Sequence, residues 1–201
     1  SVGDKDYHWE LKDARSYTQE QYDEDKKTRP WQSMPGTRYG FFFQVWEAVH
    51  LAHPDLQHDL MCQILDWAGV ESHALDDPYR PMTLKELATV ETDSQIEVGG
   101  HTKNHTNLAS QSLEDQWREI RESKEDLEEI LGHSVDGFAY PYGKYSPETV
   151  DIVGHAGFEY ACTVHPGSVW QDSQSLLLPR WEVTDCDGEE FEQRLKGWLT
   201  Q

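Results

Sequence analysis

Two histidines, His101 and His105, stand four residues apart directly after Gly99 and Gly100. If the segment after the glycines takes one helical turn, both imidazoles fall on the same face, with Cβ atoms roughly 5–6 Å apart. Neutral imidazole nitrogens bind Zn²⁺, and catalytic zinc sites commonly add a carboxylate and keep one position open for water. The pair therefore predicts part of a metal site, although a surface helix can carry the same spacing.

The elements around the pair favour the metal site. Residues 96–98 form a short apolar run typical of a strand, and the two glycines after it allow a tight or left-handed backbone. Functional residues of α/β folds gather at the carboxyl ends of strands. The histidines stand at such an end, so the position of the third ligand becomes the central question.

Helices and strands alternate after the pair. Ser112 is an N-cap candidate for a helix that ends at Gly132, and Ser146-Pro147 begins a second helix that ends at Gly157. The expected inward face of the first helix is Leu113, Trp117, Ile120, Leu127 and Leu131. Strands are predicted at 135–140, 158–164 and 176–183, and a closing helix carries Phe191, Leu195 and Trp198. This order predicts parallel pairing.

The chain before residue 81 has a different character. Residues 1–38 are acidic with scattered aromatics and are predicted to form an irregular arm, whereas residues 39–80 hold two amphipathic helical patterns. Thr83 and Glu86 have the spacing of a capping box for a short helix. We therefore predict an arm over 1–38, a helical insertion over 39–80 and a main domain over 81–201.

Composition limits the partners. The 201 residues contain 17 Lys and Arg against 38 Asp and Glu, a formal charge of −21, which argues against nucleic acid and against anionic membranes. No apolar run is long enough to cross a bilayer. Three widely spaced cysteines indicate neither a disulfide framework nor a thiolate zinc site. The localisation stays open, with a reducing, cytoplasmic compartment slightly favoured by the odd number of cysteines and the lack of an apparent signal sequence.

Three motifs in order resemble the polysaccharide deacetylases of the NodB homology group. They are Glu-Val-Gly-Gly-His-Thr-Lys-Asn-His at 97–105, Phe-Ala-Tyr-Pro-Tyr-Gly at 138–143 and Leu-Pro-Arg at 178–180. The connecting segments 119–124 and 156–158 match as well. The resemblance covers roughly residues 81–199, and the first 80 residues match no motif of the family.

The resemblance implies an α/β fold, a distorted (β/α) barrel of the polysaccharide deacetylase type that is incomplete at its N-terminal side. It implies metal-dependent hydrolysis of N-acetyl groups on the amino sugars of a polysaccharide, with His101 and His105 as ligands of a divalent metal, expected to be zinc. Pro141 and Tyr142 would form a groove wall, with the Tyr142 backbone N–H holding the oxyanion. Arg180 would orient the catalytic carboxylate by its charge. Trp181 is a candidate for stacking on a sugar ring.

Two parts of the family pattern do not occur in the chain. The Thr-Phe-Asp-Asp motif, which supplies the catalytic base and the third metal ligand, is absent, and no Leu-x-x-His motif supplies an acid. We therefore expect the carboxylates to be encoded before Ser1, and this chain alone to bind metal weakly or not at all and to be inactive. A sheet without its first strand exposes an edge, so pairing with the missing segment or self-association is expected.

Some residues of this chain are candidates to replace the missing carboxylates and the missing acid. The candidate carboxylates are Asp4, Asp6, Glu97, Asp185 and Asp187, each of which is expected to be a solvated surface group. The candidate acids are His155, expected on a helix surface, and His165, which follows a strand.

Two alternatives remain open. The chain could be a non-catalytic carbohydrate-binding or interaction module that keeps the deacetylase fold, in which case saccharide binding is independent of metal. It could also be a different zinc hydrolase whose histidine pair only imitates the motif, which requires a carboxylate from this chain within ligand distance of His101.

Overall fold

The computed structural model describes residues 16–25, 27–28, 30–33, 36–50, 52, 54–70, 80–93 and 95–199. Contacts divide the chain into two compact units, Ser1–Arg80 and Pro81–Gln201. Within the part that is described, no helix has both the length and the apolar character that a bilayer crossing requires. Asp4, Asp6 and the first 15 residues of the predicted arm lie outside it.

The first unit is helical. Its helices are α1 (Gln19–Asp25), α2 (Arg38–His50) and α3 (Pro54–Ala68), with a 3-10 turn at Pro30–Gln32. Helices α2 and α3 match the two amphipathic patterns, and Gly69 follows α3 with φ 67°. Helix α1 lies in the stretch that we predicted to be irregular. It begins where Thr18 and Gln21 exchange side-chain and backbone hydrogen bonds, a local cap that the aromatic pattern obscured.

The helices of the second unit are α4 (Leu84–Val90), α5 (Leu113–Leu131), α6 (Pro147–His155) and α7 (Gly188–Trp198). Helices α4, α5 and α6 begin at the predicted N-caps, and α5 also ends at the predicted Gly132. Thr83 and Glu86 form the capping box of α4, and Ser112 caps α5, which ends at Gly132 in the left-handed conformation. The predicted inward position of Leu113 is wrong. Its side chain is 56% exposed, because the buried stripe of α5 begins one turn later, at Gln116.

Parallel segments form the sheet, as predicted. Strand β1 (Gly137–Ala139) pairs in parallel with β2 (Tyr160–Cys162) in the register Phe138 to Ala161. Parallel bridges join Gly100 to Phe138 on one side and Cys162 to Leu178 on the other. Four segments thus lie side by side in chain order. Because the segments are parallel, the residues that follow them, including the histidine pair, lie at the same carboxyl end of the sheet.

The strands are shorter than predicted. The predicted strand at 96–98 is wrong, since pairing there is limited to Gly100. The predicted strand at 176–183 is wrong over most of its length. Its first residues form a 3-10 turn at Ser175–Leu177, and the ladder then continues only to the Arg180 N–H, which donates to the His165 carbonyl at 2.9 Å. Pro179 has no N–H to donate, which limits pairing at this point.

The core lies between the sheet and helices α5 and α6. Its buried side chains are Leu108, Ile120, Val135, Phe138, Tyr140, Val153, Phe158 and Ala161. It also contains a polar link, in which the buried Thr149 hydroxyl donates to Gln116 Oε1 at 2.7 Å and joins α6 to α5. Because burial of apolar surface is the main stabilising contribution, this core holds the two ends of the histidine loop (residues 100–107) in place.

Gly100 is needed for space and not for its backbone angles. Neither Gly99 nor Gly100 has a positive φ, so of the tight or left-handed backbone that the two glycines allow, the left-handed form is not used. A Cβ atom at Gly100 would lie 2.7 Å from Cζ of Phe158 and 3.2 Å from Cδ2 of Phe138. The glycine thus lets the segment before His101 approach two core rings.

Candidate active site

The two imidazoles of the histidine pair are in contact. The ring centroids of His101 and His105 lie 4.7 Å apart with an interplanar angle of 68°. The backbone between them is not helical, so the rings meet without the helical turn on which the spacing argument was conditional. Thr102 and His105 have φ angles of 62° and 53°, and these two left-handed residues fold the loop back on itself. The loop that brings the rings together is irregular, and residues outside the loop hold it in place.

One nitrogen of each ring is already bonded to an oxygen. His101 Nδ1 donates to the carbonyl of Ala139 at 2.6 Å, at the end of β1. His105 Nδ1 is hydrogen-bonded to the Tyr142 hydroxyl at 2.8 Å. Metal-binding histidines commonly use this arrangement, in which an oxygen at one nitrogen orients the ring and directs the other nitrogen toward the metal. The hydrogen bonds at Nδ1 orient both rings, and Nε2 is in each case the nitrogen that this arrangement would direct toward a metal.

The turn after β1 places Tyr142 beside His105. Tyr142 has φ 57°, Gly143 has φ 62°, and a Cβ at Gly143 would lie 2.2 Å from Val164 Cγ2. Burial raises the pKa of Tyr142, so its hydroxyl stays protonated near neutral pH. Pro141 is fully buried, so its side chain shapes the turn and offers no surface to a substrate.

Helix α5 holds the loop between the histidines. Glu119 accepts hydrogen bonds from the backbone and the side-chain amide of Asn104, at 2.9 Å and 2.7 Å. Lys103 reaches Glu122 and Asp126 on the same helix. Sequence reasoning missed Glu119, although steps of three and four residues from Gln116 place it on the buried stripe.

Arg180 and Trp181 lie along the next segments. Nε of Arg180 donates to the Thr163 carbonyl at 2.8 Å, and no carboxylate among the residues described forms an ion pair with its guanidinium. The indole of Trp181 stacks on Trp198 of α7 at 5.4 Å between centroids and donates to Ser168 Oγ at 3.3 Å. One face of Trp181 is therefore covered by the protein.

The candidate replacement carboxylates have other roles in this structure. Glu97 accepts the Tyr160 hydroxyl at 2.6 Å, and Asp187 caps α7 through the Glu190 N–H. Asp185 is exposed. Over the residues that are described, no group of three His, Cys, Asp or Glu side chains could hold a metal ion. The pair thus fits two positions of a metal site, and the third ligand is not among these residues.

The two candidate acids differ in their surroundings. His155 lies exposed at the end of α6, where its Nδ1 donates to the Asp151 carbonyl at 2.7 Å. His165 follows β2, and its Nδ1 lies 3.5 Å from the Tyr145 hydroxyl. His165 follows a strand at the same carboxyl end of the sheet as the histidine pair. Its position therefore suits a catalytic acid better than that of His155.

Comparison with known proteins gives consistent matches. The family model described as polysaccharide deacetylase matches residues 61–161, half of the chain. The putative polysaccharide deacetylase YxkH of Bacillus subtilis (strain 168) is 26% identical over 101 residues, which are 50% of this chain and 35% of that protein. The chain therefore matches about a third of that relative's length.

A solved structure shares the fold. Streptococcus pyogenes deacetylase PplD, determined in complex with acetate, superposes with a TM-score of 0.54 at 22% identity, over 67% of this chain and 63% of that one.

Proposed function

Because this chain belongs to the polysaccharide deacetylase family, a family of hydrolases, we propose that it supplies the histidine pair and groove of a metal-dependent enzyme. The reaction proposed is hydrolysis of N-acetyl groups on the amino sugars of a polysaccharide. One observation carries the proposal: the rings of His101 and His105 lie 4.7 Å apart, each with Nδ1 bonded to an oxygen.

Hydrolysis of an amide by a metal-bound water needs ligands that hold the metal ion. A divalent metal, proposed to be zinc, would polarise the amide carbonyl and lower the pKa of a bound water to about 7. His101 and His105 would hold it through Nε2, while Ala139 and Tyr142 keep the two rings in orientation. The third ligand and the catalytic base are proposed to be carboxylates outside the described residues.

Tyr142 and Arg180 have proposed roles in the reaction of the amide. The Tyr142 backbone N–H, in its left-handed turn, is the proposed donor to the developing oxyanion. Arg180, anchored on Thr163, is proposed to orient the catalytic carboxylate by charge. Trp181, with one face against Trp198, is proposed as a platform for a sugar ring on its other side.

We propose that the four parallel segments form one wall of a distorted (β/α) barrel, incomplete at its N-terminal side. The likeness of fold to the deacetylase PplD and the parallel order of the segments support this proposal. In such a fold the residues at the carboxyl ends of the strands converge on one site. His101, Tyr142 and Arg180 each follow one of the segments.

The test compares this chain with the protein from the complete reading frame that encodes it. Acetate release from a soluble N-acetylglucosamine oligomer is measured with added zinc. We expect release by the complete protein and little by the chain alone. His101→Gln should reduce it by at least about 100-fold, because changing even the outer partners of a metal ligand costs about 10–100-fold.

His58→Gln is the matched control, since that histidine is exposed on α3 and has no proposed role in the reaction, and it should leave acetate release unchanged. Oligomer binding that a chelator does not alter, with no acetate released by the complete protein, would contradict the enzymatic proposal. That result would identify a non-catalytic carbohydrate-binding module.

A further inference from the structure

Glu119 places a carboxylate against the loop that joins the two histidines. The residue is only 6% exposed, in the middle of α5, and lies between the buried residues Gln116 and Ser123. A buried carboxylate is costly unless hydrogen bonds satisfy it. Both Glu119 oxygens accept from Asn104, Oε2 from the backbone N–H and Oε1 from the side-chain amide.

The backbone of the same two residues is also joined. The Lys103 N–H donates to the Glu119 carbonyl at 3.2 Å, so three hydrogen bonds attach Lys103-Asn104 to one helical residue. These two residues lie between Thr102 and His105, whose positive φ angles are unfavourable for residues other than glycine. Such conformations persist where surrounding contacts over-determine them.

Two other hydrogen bonds hold the loop at its histidines, from His101 to Ala139 and between His105 and Tyr142. Three of its buried side-chain atoms, Thr102 Oγ1, Thr106 Oγ1 and Asn107 Oδ1, have no hydrogen-bond partner in the described structure. The ion pairs of Lys103 with Glu122 and Asp126 are 41–54% exposed, and exposed pairs contribute little. The contacts of Glu119 are therefore the main polar attachment of Lys103 and Asn104, between the two histidines.

We propose that Glu119 is a positioning residue that keeps the rings of His101 and His105 together by holding Asn104. The consequence for metal binding rests on the proposed function, whereas the consequence for the geometry of the rings does not. Without the carboxylate, the link between the two left-handed residues relaxes and the rings separate. Glu119 itself contacts neither the metal nor the substrate.

NMR spectroscopy of the whole chain tests the geometry. In the wild type we expect a nuclear Overhauser contact between the rings of His101 and His105 and slow hydrogen exchange at the Asn104 amide. Glu119→Ala should abolish both while the ring-shifted core signals of Phe138 remain. Glu122→Gln is the matched control, because it alters an exposed contact of the same loop and should leave both signals unchanged.

A rescue experiment covers the case in which Glu119→Ala does not fold. Asn104→Asp places a second carboxylate against Glu119, so the contact between the rings should be lost. Adding Glu119→Gln restores a donor and an acceptor to each former hydrogen bond, and the contact should return. Recovery through the partner residue is specific to the pairing and is not expected from a change in general stability.

Zinc then separates this inference from the proposed function. Zinc-induced shifts of the His101 and His105 ring signals should need at least about 10-fold more zinc in Asn104→Asp than in the wild type. A wild type that shows the ring contact but no response to zinc would contradict the metal site and leave the positioning role standing. A folded Glu119→Ala protein with the ring contact and slow Asn104 exchange intact would overturn the inference, as would a folded double variant without recovery.

Discussion

The hydroxyl of Tyr142 lies 2.8 Å from Nδ1 of His105, and the two rings meet edge to face with centroids 4.6 Å apart. The contact joins the turn after β1 to the histidine loop, across 37 residues of sequence. A phenol hydroxyl here takes the orienting role that a backbone carbonyl has for His101.

Removal of that hydroxyl should weaken metal binding without unfolding the protein. Tyr142→Phe keeps the aromatic contact but leaves His105 Nδ1 without this oxygen, so we expect the zinc affinity to fall by about 10-fold. Zinc titration followed on the His105 ring signals measures the change. Tyr145→Phe is the control, because its hydroxyl lies beside His165 and should not affect zinc affinity. Equal affinities in the wild type and Tyr142→Phe would contradict the orienting role.

Zinc binding by this chain alone should be weak. Structural sites with four protein ligands bind zinc with about 10–16 kcal/mol, so two imidazoles are expected to provide roughly half, a Kd of about 1 μM to 0.2 mM. Isothermal titration calorimetry measures the affinity, and His101→Gln should reduce it further. A nanomolar site with one zinc per chain would show that a carboxylate of this chain completes the site.

A methyl group at Gly100 should lower the free energy of unfolding, because it disturbs the packing of the histidine loop against the core. Gly100→Ala forces its Cβ against the rings of Phe158 and Phe138, and overpacking of this kind costs about 1–3 kcal/mol. Urea unfolding measures the free energy. Gly197→Ala is the control, because it adds a methyl in open space within α7 and should leave stability unchanged or raise it by up to about 1 kcal/mol. Equal effects of the two substitutions would contradict the steric explanation.

The contact between His133 and Glu91 should make stability depend on pH near neutrality. The hydrogen bond with Glu91, followed by that with the Ser134 carbonyl, raises the pKa of His133 above its ordinary value of 6.5. The raised pKa means that the pairing contributes fully below about pH 6.5 and is lost as the pH rises through the folded-state pKa. Unfolding free energies from pH 6 to 9 should therefore fall more in the wild type than in Glu91→Gln. NMR titration of His133 at or below 6.5 would contradict this.

The edge of the sheet beside Gly100 should promote association. Gly100 exchanges backbone hydrogen bonds with Gly137 and Ala139, whereas Gly99 and His101 form none with the backbone of the described residues. Unpaired edges of this kind recruit further strands, and lysine on an edge opposes this. Light scattering should show a mass that rises with concentration in the wild type and less so in Ile96→Lys. A monomer at every concentration would contradict the prediction.

The sequence by itself determined the features whose causes are local. Thr83 with Glu86, Ser112 and Ser146 place helix starts because each side chain bonds a backbone N–H three residues away. The alternation of helices and strands was enough to predict parallel pairing, because consecutive crossovers permit little else. The family was also readable from three motifs in order.

Tertiary structure alone decided how the candidate site is held. The loop is left-handed at Thr102 and His105. It is held by the hydroxyl of Tyr142 on His105 and the carboxylate of Glu119 on Asn104, which join residues 37 and 15 positions apart. Spacing on one helix or strand does not encode such contacts, because they depend on how α5 and the turn after β1 pack around the sheet. Histidine spacing predicted that the rings could meet, and packing between distant segments makes them meet.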